Sequence, residues 1–148
     1  MANEAVFLSE IPNIPITVFN PGNPSGTTSL TEVMMGLGGT VTYTPTTTGR
    51  VQIMCFAQFA NNTANDGVTG GLRTNTGTAP SNGDALTGTQ RGVTRTVTSY
   101  HNNQTYAVTL VSVASYTIGT AFWIDLAVKA ITGGTASPTA ISFLITEL

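Results

Sequence analysis

Residues 42–62, TYTPTTTGRVQIMCFAQFANN, carry a β pattern with a complication. In a strand from Arg50 to Ala60 the side chains alternate, so Val51, Ile53, Cys55, Ala57 and Phe59 share one face and form a core row. The opposite row holds Arg50, Gln52, Met54, Phe56 and Gln58, with two bulky apolar residues in the middle of polar ones. A two-layer sandwich needs one apolar face per strand. Met54 and Phe56 therefore call for cover from outside the core, either from a second copy of the chain or from a local segment such as the N-terminal stretch or a long loop.

The same period of two recurs along the chain. Val41 and Tyr43 alternate with Thr before a turn at Pro45, and Asn61 to Gly67 reads as a hairpin connection in which Asp66-Gly67 supplies positive φ. Strands follow at Val68–Thr74, Val93–Tyr100 and Thr105–Ser115, the last apolar on both parities. Ala121–Ala130 has the clearest pattern: Phe122, Ile124, Leu126, Val128 and Ala130 on one side, Trp123, Asp125 and Lys129 on the other. A turn in residues 132–138 leads to a final strand, Thr139–Leu148. The stretch SLTEVMMGLGG, residues 29–39, fits either a short helical turn or an irregular strand. Residues 75–92, NTGTAPSNGDALTGTQRG, form a polar loop longer than an ordinary connection, of the kind that faces a partner.

This pattern predicts an all-β fold, a jelly-roll β-sandwich of about eight antiparallel strands. Composition agrees. About one residue in five is Thr and 16 are Gly, which suits pleated surfaces and turns rather than helices. At 148 residues the chain suits one domain with a substantial core. The expected division is an extended proline-rich arm and lead-in, residues 1–39, and the sandwich, residues 40–148. In the arm, Pro12, Pro15, Pro21 and Pro24 favour extended backbone, while Ile11, Ile14, Ile16, Val18 and Phe19 ask for a surface to dock on.

Only 8% of residues are charged and the net charge is −2. The five basic residues, Arg50, Arg73, Arg91, Arg95 and Lys129, are scattered, so no basic stripe exists to hold nucleic acid. The sequence has no membrane-length apolar run and no signal-peptide pattern at its start, and the expectation is a soluble product with no membrane partner. Cys55 falls on the core row and reads as an inert thiol.

No catalytic constellation emerges. His101 is the one histidine and lies in a predicted turn, without the companions a zinc site needs. The seven acids, Glu4, Glu10, Glu32, Asp66, Asp84, Asp125 and Glu147, are widely spaced, and Asp125 reads as a structural ion-pair partner for an Arg. No phosphate loop or calcium loop is formed. The expectation is a protein that is not an enzyme, with no cofactor, metal or small-molecule substrate.

The segment from Tyr43 to Gly88, YTPTTTGRVQIMCFAQFANNTANDGVTGGLRTNTGTAPSNGDALTG, resembles a module of tailed-bacteriophage virion proteins. That module has a Tyr-x-Pro strand, a Thr-rich turn, an apolar strand, an Asn/Asp-Gly connection and a GTAPxNG loop. Residues 121–148, AFWIDLAVKAITGGTASPTAISFLITEL, fit its last hairpin, and the module is similar to the jelly roll of the C1q and tumour-necrosis-factor group. About 110 residues are covered, from Val41 onward.

The resemblance implies a homotrimer in which one sheet of each subunit faces the threefold axis. It makes Tyr43, Met54, Phe56, Tyr106, Trp123 and Phe143 core or axial residues and brings no catalytic residue with it. Met54, Phe56, Tyr106 and Trp123 are the expected oligomer interface. The favoured function is a capsid decoration or cement protein on the virion head, made in the host cytoplasm. Its arm, through Ile11, Ile14, Ile16, Val18 and Phe19, would lie across the major capsid protein. The alternative is a receptor-binding tip of a fibre whose 75–92 loop contacts a host glycan or protein. Fibre heads of this kind usually follow a long shaft, and about forty residues precede the module here.

Overall fold

The computed structural model describes residues 15–148 and is all-β, as the alternation predicts, with ten strands in two sheets and one short 3-10 turn. The strands are β1 (Ile16–Phe19), β2 (Val33–Met35), β3 (Thr42–Tyr43), β4 (Arg50–Asn61), β5 (Asp66–Asn75), β6 (Asn82–Ala85), β7 (Thr89–Ser99), β8 (Thr105–Ser115), β9 (Phe122–Ala130) and β10 (Ala136–Glu147). The count exceeds eight because short strands appear in the segments expected to be arm and loop. Sheet A has the order β1-β10-β4-β8. Sheet B has the order β6-β2-β9-β5-β7, with β3 on the same edge of β9 as β2. The 3-10 turn Leu37–Gly39 separates β2 from β3, so SLTEVMMGLGG becomes both a strand and a turn.

The boundary expected at residue 39 is not a structural one. β1 pairs with β10 and β2 pairs with β9, so both lie inside the sandwich. Phe19 packs against the core, while Ile16 and Val18 lie on the outer face of sheet A. These three residues are strand residues and do not form a free arm. Ile11 and Ile14 lie outside the described residues.

Among the described residues, no two strands that follow each other in the chain are paired. The connection at residues 62–65 carries the chain from sheet A to sheet B, so it is a corner between layers and not the expected hairpin. Positive φ there belongs to Asn65, at 60°. Gly67 serves closeness instead, since a Cβ on it would collide with the Val97 carbonyl oxygen. Residues 100–104 and 131–135 also cross between layers, and buried polar groups tie these corners together. The Asn61 side chain donates to the carbonyls of Gly67 and Gly133, each at 3.0 Å. Asp66 accepts the N–H groups of Gly67 and Thr132.

Between the sheets lies the core predicted from the pattern. Val51, Ile53, Cys55 and Phe59 from β4 meet Phe122, Ile124, Leu126 and Val128 from β9, with Phe143 and Ile145 from β10. Burying side chains of this size contributes about 1.5–3 kcal/mol each. Cys55 is sealed in that layer, and burial pushes its thiol up to about 12.

Candidate self-association face

Among the described residues, sheet A is covered by its own chain on one side only. Register places four apolar residues in one row across its outer face: Val18 is opposite Leu144, Leu144 opposite Met54, and Met54 opposite Val111. Phe56 and Val113 lie one step to either side of that row, on the same face. Val18 is 52% exposed, Phe56 41% and Val111 43%. Strand geometry forces this, because each strand that turns Val51, Ile53 or Leu110 inward must turn its alternate residues out. The one charged side chain of the outward row of β4, Arg50, stands at its end. A continuous apolar stripe on a weakly charged surface is the property of a face that associates.

The four residues expected at an interface have different fates. Met54 and Phe56 lie in the stripe. Tyr106 does not: it shares the parity of Val108 and Leu110, the inward row of β8, and is half-buried at the strand's end. Trp123 is covered within the chain and is 3% exposed, packed with Met34, Ala127 and Ala79. Small residues make that cover possible, since a Cβ on Gly88 would come within 2.5 Å of the indole ring. The indole N–H is buried without a hydrogen-bond partner. Tyr43 and Phe143 are core residues, Tyr43 packing edge-on to Phe122 at 6.1 Å. Leu144, Val111 and Val113 also lie on this face and were not among the expected residues, although β8's apolar content on both parities is the signal that marks the two valines.

The long loop is largely structural. Its residues 82–85 pair with β2, and Ala79 helps close over Trp123. Asp125, beneath this cover, lies opposite Arg73 in the ladder but makes no ion pair with it. Arg73 reaches Glu32 at 3.2 Å, and the Asp125 carboxylate accepts the N–H groups of Gly36 and Leu37 at 2.9 and 3.0 Å. Burial outweighs these donors and raises Asp125 to about 6. At Glu147 the balance is reversed. Burial opposes the charge, but the N–H groups of Thr46, Thr47, Thr48 and Gly49 converge on the carboxylate and lower it to about 2. Both carboxylates organise backbone, and neither stands in a cluster able to act on a substrate. Among the described residues no group of three or more His, Cys, Asp or Glu can hold a metal, and no helix is long and apolar enough to cross a membrane.

A second surface feature is an open groove of about 820 Å³ on the outer face of sheet B. Thr69, Thr94, Glu32 and Lys129 line it between Leu30 and Leu86.

Solved structures share this architecture of two packed sheets. A tumour necrosis factor, Eiger from S. frugiperda, superposes with a TM-score of 0.55 over 91% of this chain and 92% of its own, at 10% identity. The chain has a tumour-necrosis-factor-like jelly roll. A chain of the infectious bursal disease virus Gt strain matches with a TM-score of 0.51 at 9% identity, over 91% of this jelly roll and 33% of the viral chain. The VP2 protein of that virus, in derived T=1 particles, matches with a TM-score of 0.51 at 10% identity. The jelly roll thus spans about a third of the viral chains it resembles. No family model matches the sequence, and no curated protein matches it.

Proposed function

We propose that this chain is a structural protein of a tailed-bacteriophage virion, a decoration or cement protein that binds the assembled head as a homotrimer. The observation that carries the reading is the uncovered apolar stripe Val18–Leu144–Met54–Val111 on a jelly roll of the kind also found in VP2 of virus particles. Three copies that turn sheet A towards a common axis would remove the stripe from water, and about 25 cal/mol per Å² of apolar area favours that arrangement. The low charge and absence of a catalytic cluster among the described residues suit a permanent structural contact. Such a protein acts by mass action: it binds the expanded shell, in contact with the major capsid protein, and lowers that state's free energy in proportion to occupancy.

The receptor-binding alternative draws less support, because residues 79–85 of the loop it relies on are engaged in covering Trp123 and pairing with β2. The deciding experiment adds the purified chain to phage heads lacking decoration. Saturable binding in multiples of three, with heads that withstand higher temperature, supports the proposal. Binding to host cells without binding to heads overturns it. β1 and the bridge between Thr27 and Ala136 belong to the sandwich, so a truncation that spares it stops at residue 14.

A further inference from the structure

Residues 78–87 run between two glycines of positive φ, Gly77 at 82° and Gly88 at 73°. Few other residues adopt that backbone, so both ends of the segment are bends that glycine makes possible. Between them Ala79 and Pro80 are half-buried, and every residue from Ser81 to Thr87 is exposed. The segment is a strap with almost no apolar burial of its own. Hydrogen bonds hold it instead. β6 meets β2 where Ala85 is opposite Val33 and Asn82 opposite Met35, with an irregularity between the two positions. The Asn82 side chain adds a clamp, donating to the carbonyls of Ser25 and Met35 at 3.0 and 3.1 Å. Both N–H groups of that one amide are spent on tying the strap down.

Beneath the strap, Trp123, Met34 and Ala127 form a cluster of their own, separate from the core between the sheets, and Ala79 packs on it. Trp123 is 3% exposed, yet its indole N–H has no acceptor among the described residues. A buried donor without a partner works against the closed arrangement, because it has given up water and received nothing in return. A segment that buries little apolar surface and hangs on exposed hydrogen bonds opens without the rest of the fold. Both conditions meet here. The neighbours of Trp123 along β9, Phe122 and Ile124, face the other way, into the main core, so uncovering the indole leaves that core sealed.

We infer that residues 78–87 are a strap that opens as a unit, hinged at Gly77 and Gly88 and latched by Asn82, and that its opening presents the Trp123 indole to the exterior while both sheets stay paired. Gly83, Ala85 and Leu86 of the same strap line the sheet B groove. That groove therefore belongs to the closed state, and the exposed indole replaces it in the open one. The inference concerns sheet B alone, so it stands or falls separately from the stripe on sheet A and from the virion reading.

Hydrogen exchange followed by NMR tests it on the full chain, with the Trp123 indole N–H compared with backbone amides of β4 and β9 in the same sample. The indole protection factor should be lower than that of the core amides by about tenfold or more, since local opening needs less free energy than unfolding. Asn82→Asp removes both donors and sets carboxylate oxygen against two carbonyls. It should lower indole protection by a further factor of about ten while the core amides keep theirs. If that variant weakens the core as well, Asn82→Ala, which removes the donors without adding charge, repeats the comparison. Exchange of the indole and the core amides with one common protection factor overturns the inference. So does an indole that responds to neither variant, or that responds only in step with the core.

Discussion

Met54 and Val111 stand directly opposite each other across the β4–β8 ladder, and both side chains point away from the core. Opposed apolar pairs of this kind stabilise a sheet by a few tenths of a kcal/mol, far less than full burial of either residue offers. That difference is available to a partner. Val111→Lys places a charge in the stripe without disturbing the core, and sedimentation should show the parent chain as the proposed trimer and the variant, at the same concentration, as single subunits. A parent chain that sediments as a single subunit at micromolar concentration refutes the self-association reading.

Glu147 should govern acid sensitivity. Its folded-state value, about 2, lies below the ordinary carboxylate value of 4.5. The contribution is therefore fully present above about 4.5 and is lost as pH falls towards 2. Glu147→Gln should lower the melting temperature at pH 7 and flatten its fall between pH 4.5 and 2. An unchanged acid slope in the variant counts against the four-donor arrangement.

Asp125 should act with the opposite sign. Its folded value, raised from 3.8 to about 6, means that the folded state binds the proton more tightly than the unfolded chain. Stability then falls as pH rises from about 4 to 6, by up to about 3 kcal/mol for a shift of roughly two units. A carboxyl-carbon NMR titration of Asp125 should give a midpoint near 6. Together the two acids place a stability maximum between their transitions, and melting curves across pH 3 to 8 would reveal its absence.

Gly88 combines a φ of 73° with a close approach to the Trp123 ring. Gly88→Ala should cost about 1–3 kcal/mol through backbone strain and overpacking. Displacement of the loop should shift tryptophan emission to longer wavelength, and emission identical to the parent would mean that the loop does not form this cover.

Cys55 is enclosed by the core, with its thiol pushed up to about 12. The folded chain should not react with a water-soluble disulfide reagent at pH 8, and reaction should follow the unfolding rate. Rapid stoichiometric labelling of native protein would place the thiol at the surface.

The sequence reveals much of this fold where long alternation dominates. Arg50–Asn61 and Phe122–Ala130 each carry a row of five apolar residues at every second position, and such rows have one stable arrangement. β6 is different. Its four residues, Asn82–Ala85, are all exposed, so no burial pattern marks them as a strand. β1 resembled a free arm because prolines bracket it, yet its hydrogen bonds run to β10, more than a hundred residues away. Trp123 looked uncovered because its row is shared with Asp125 and Lys129. What covers it is a set of glycines and Ala79, whose significance lies in what they leave empty. The partners of Asp125 and Glu147 are backbone N–H groups, which every residue except proline carries, and so side-chain identity gives no sign of them.

The order of pairing also bears on synthesis. β10 is an inner strand of sheet A, held between β1 and β4, and it comes last of the ten strands in chain order. β1, β4 and β8 leave the ribosome before the strand that joins the first two, so sheet A cannot close until β10 has emerged. With every ladder joining strands that do not follow each other in the chain, folding should be slow, its greasy rows meanwhile open to aggregation or to a chaperone.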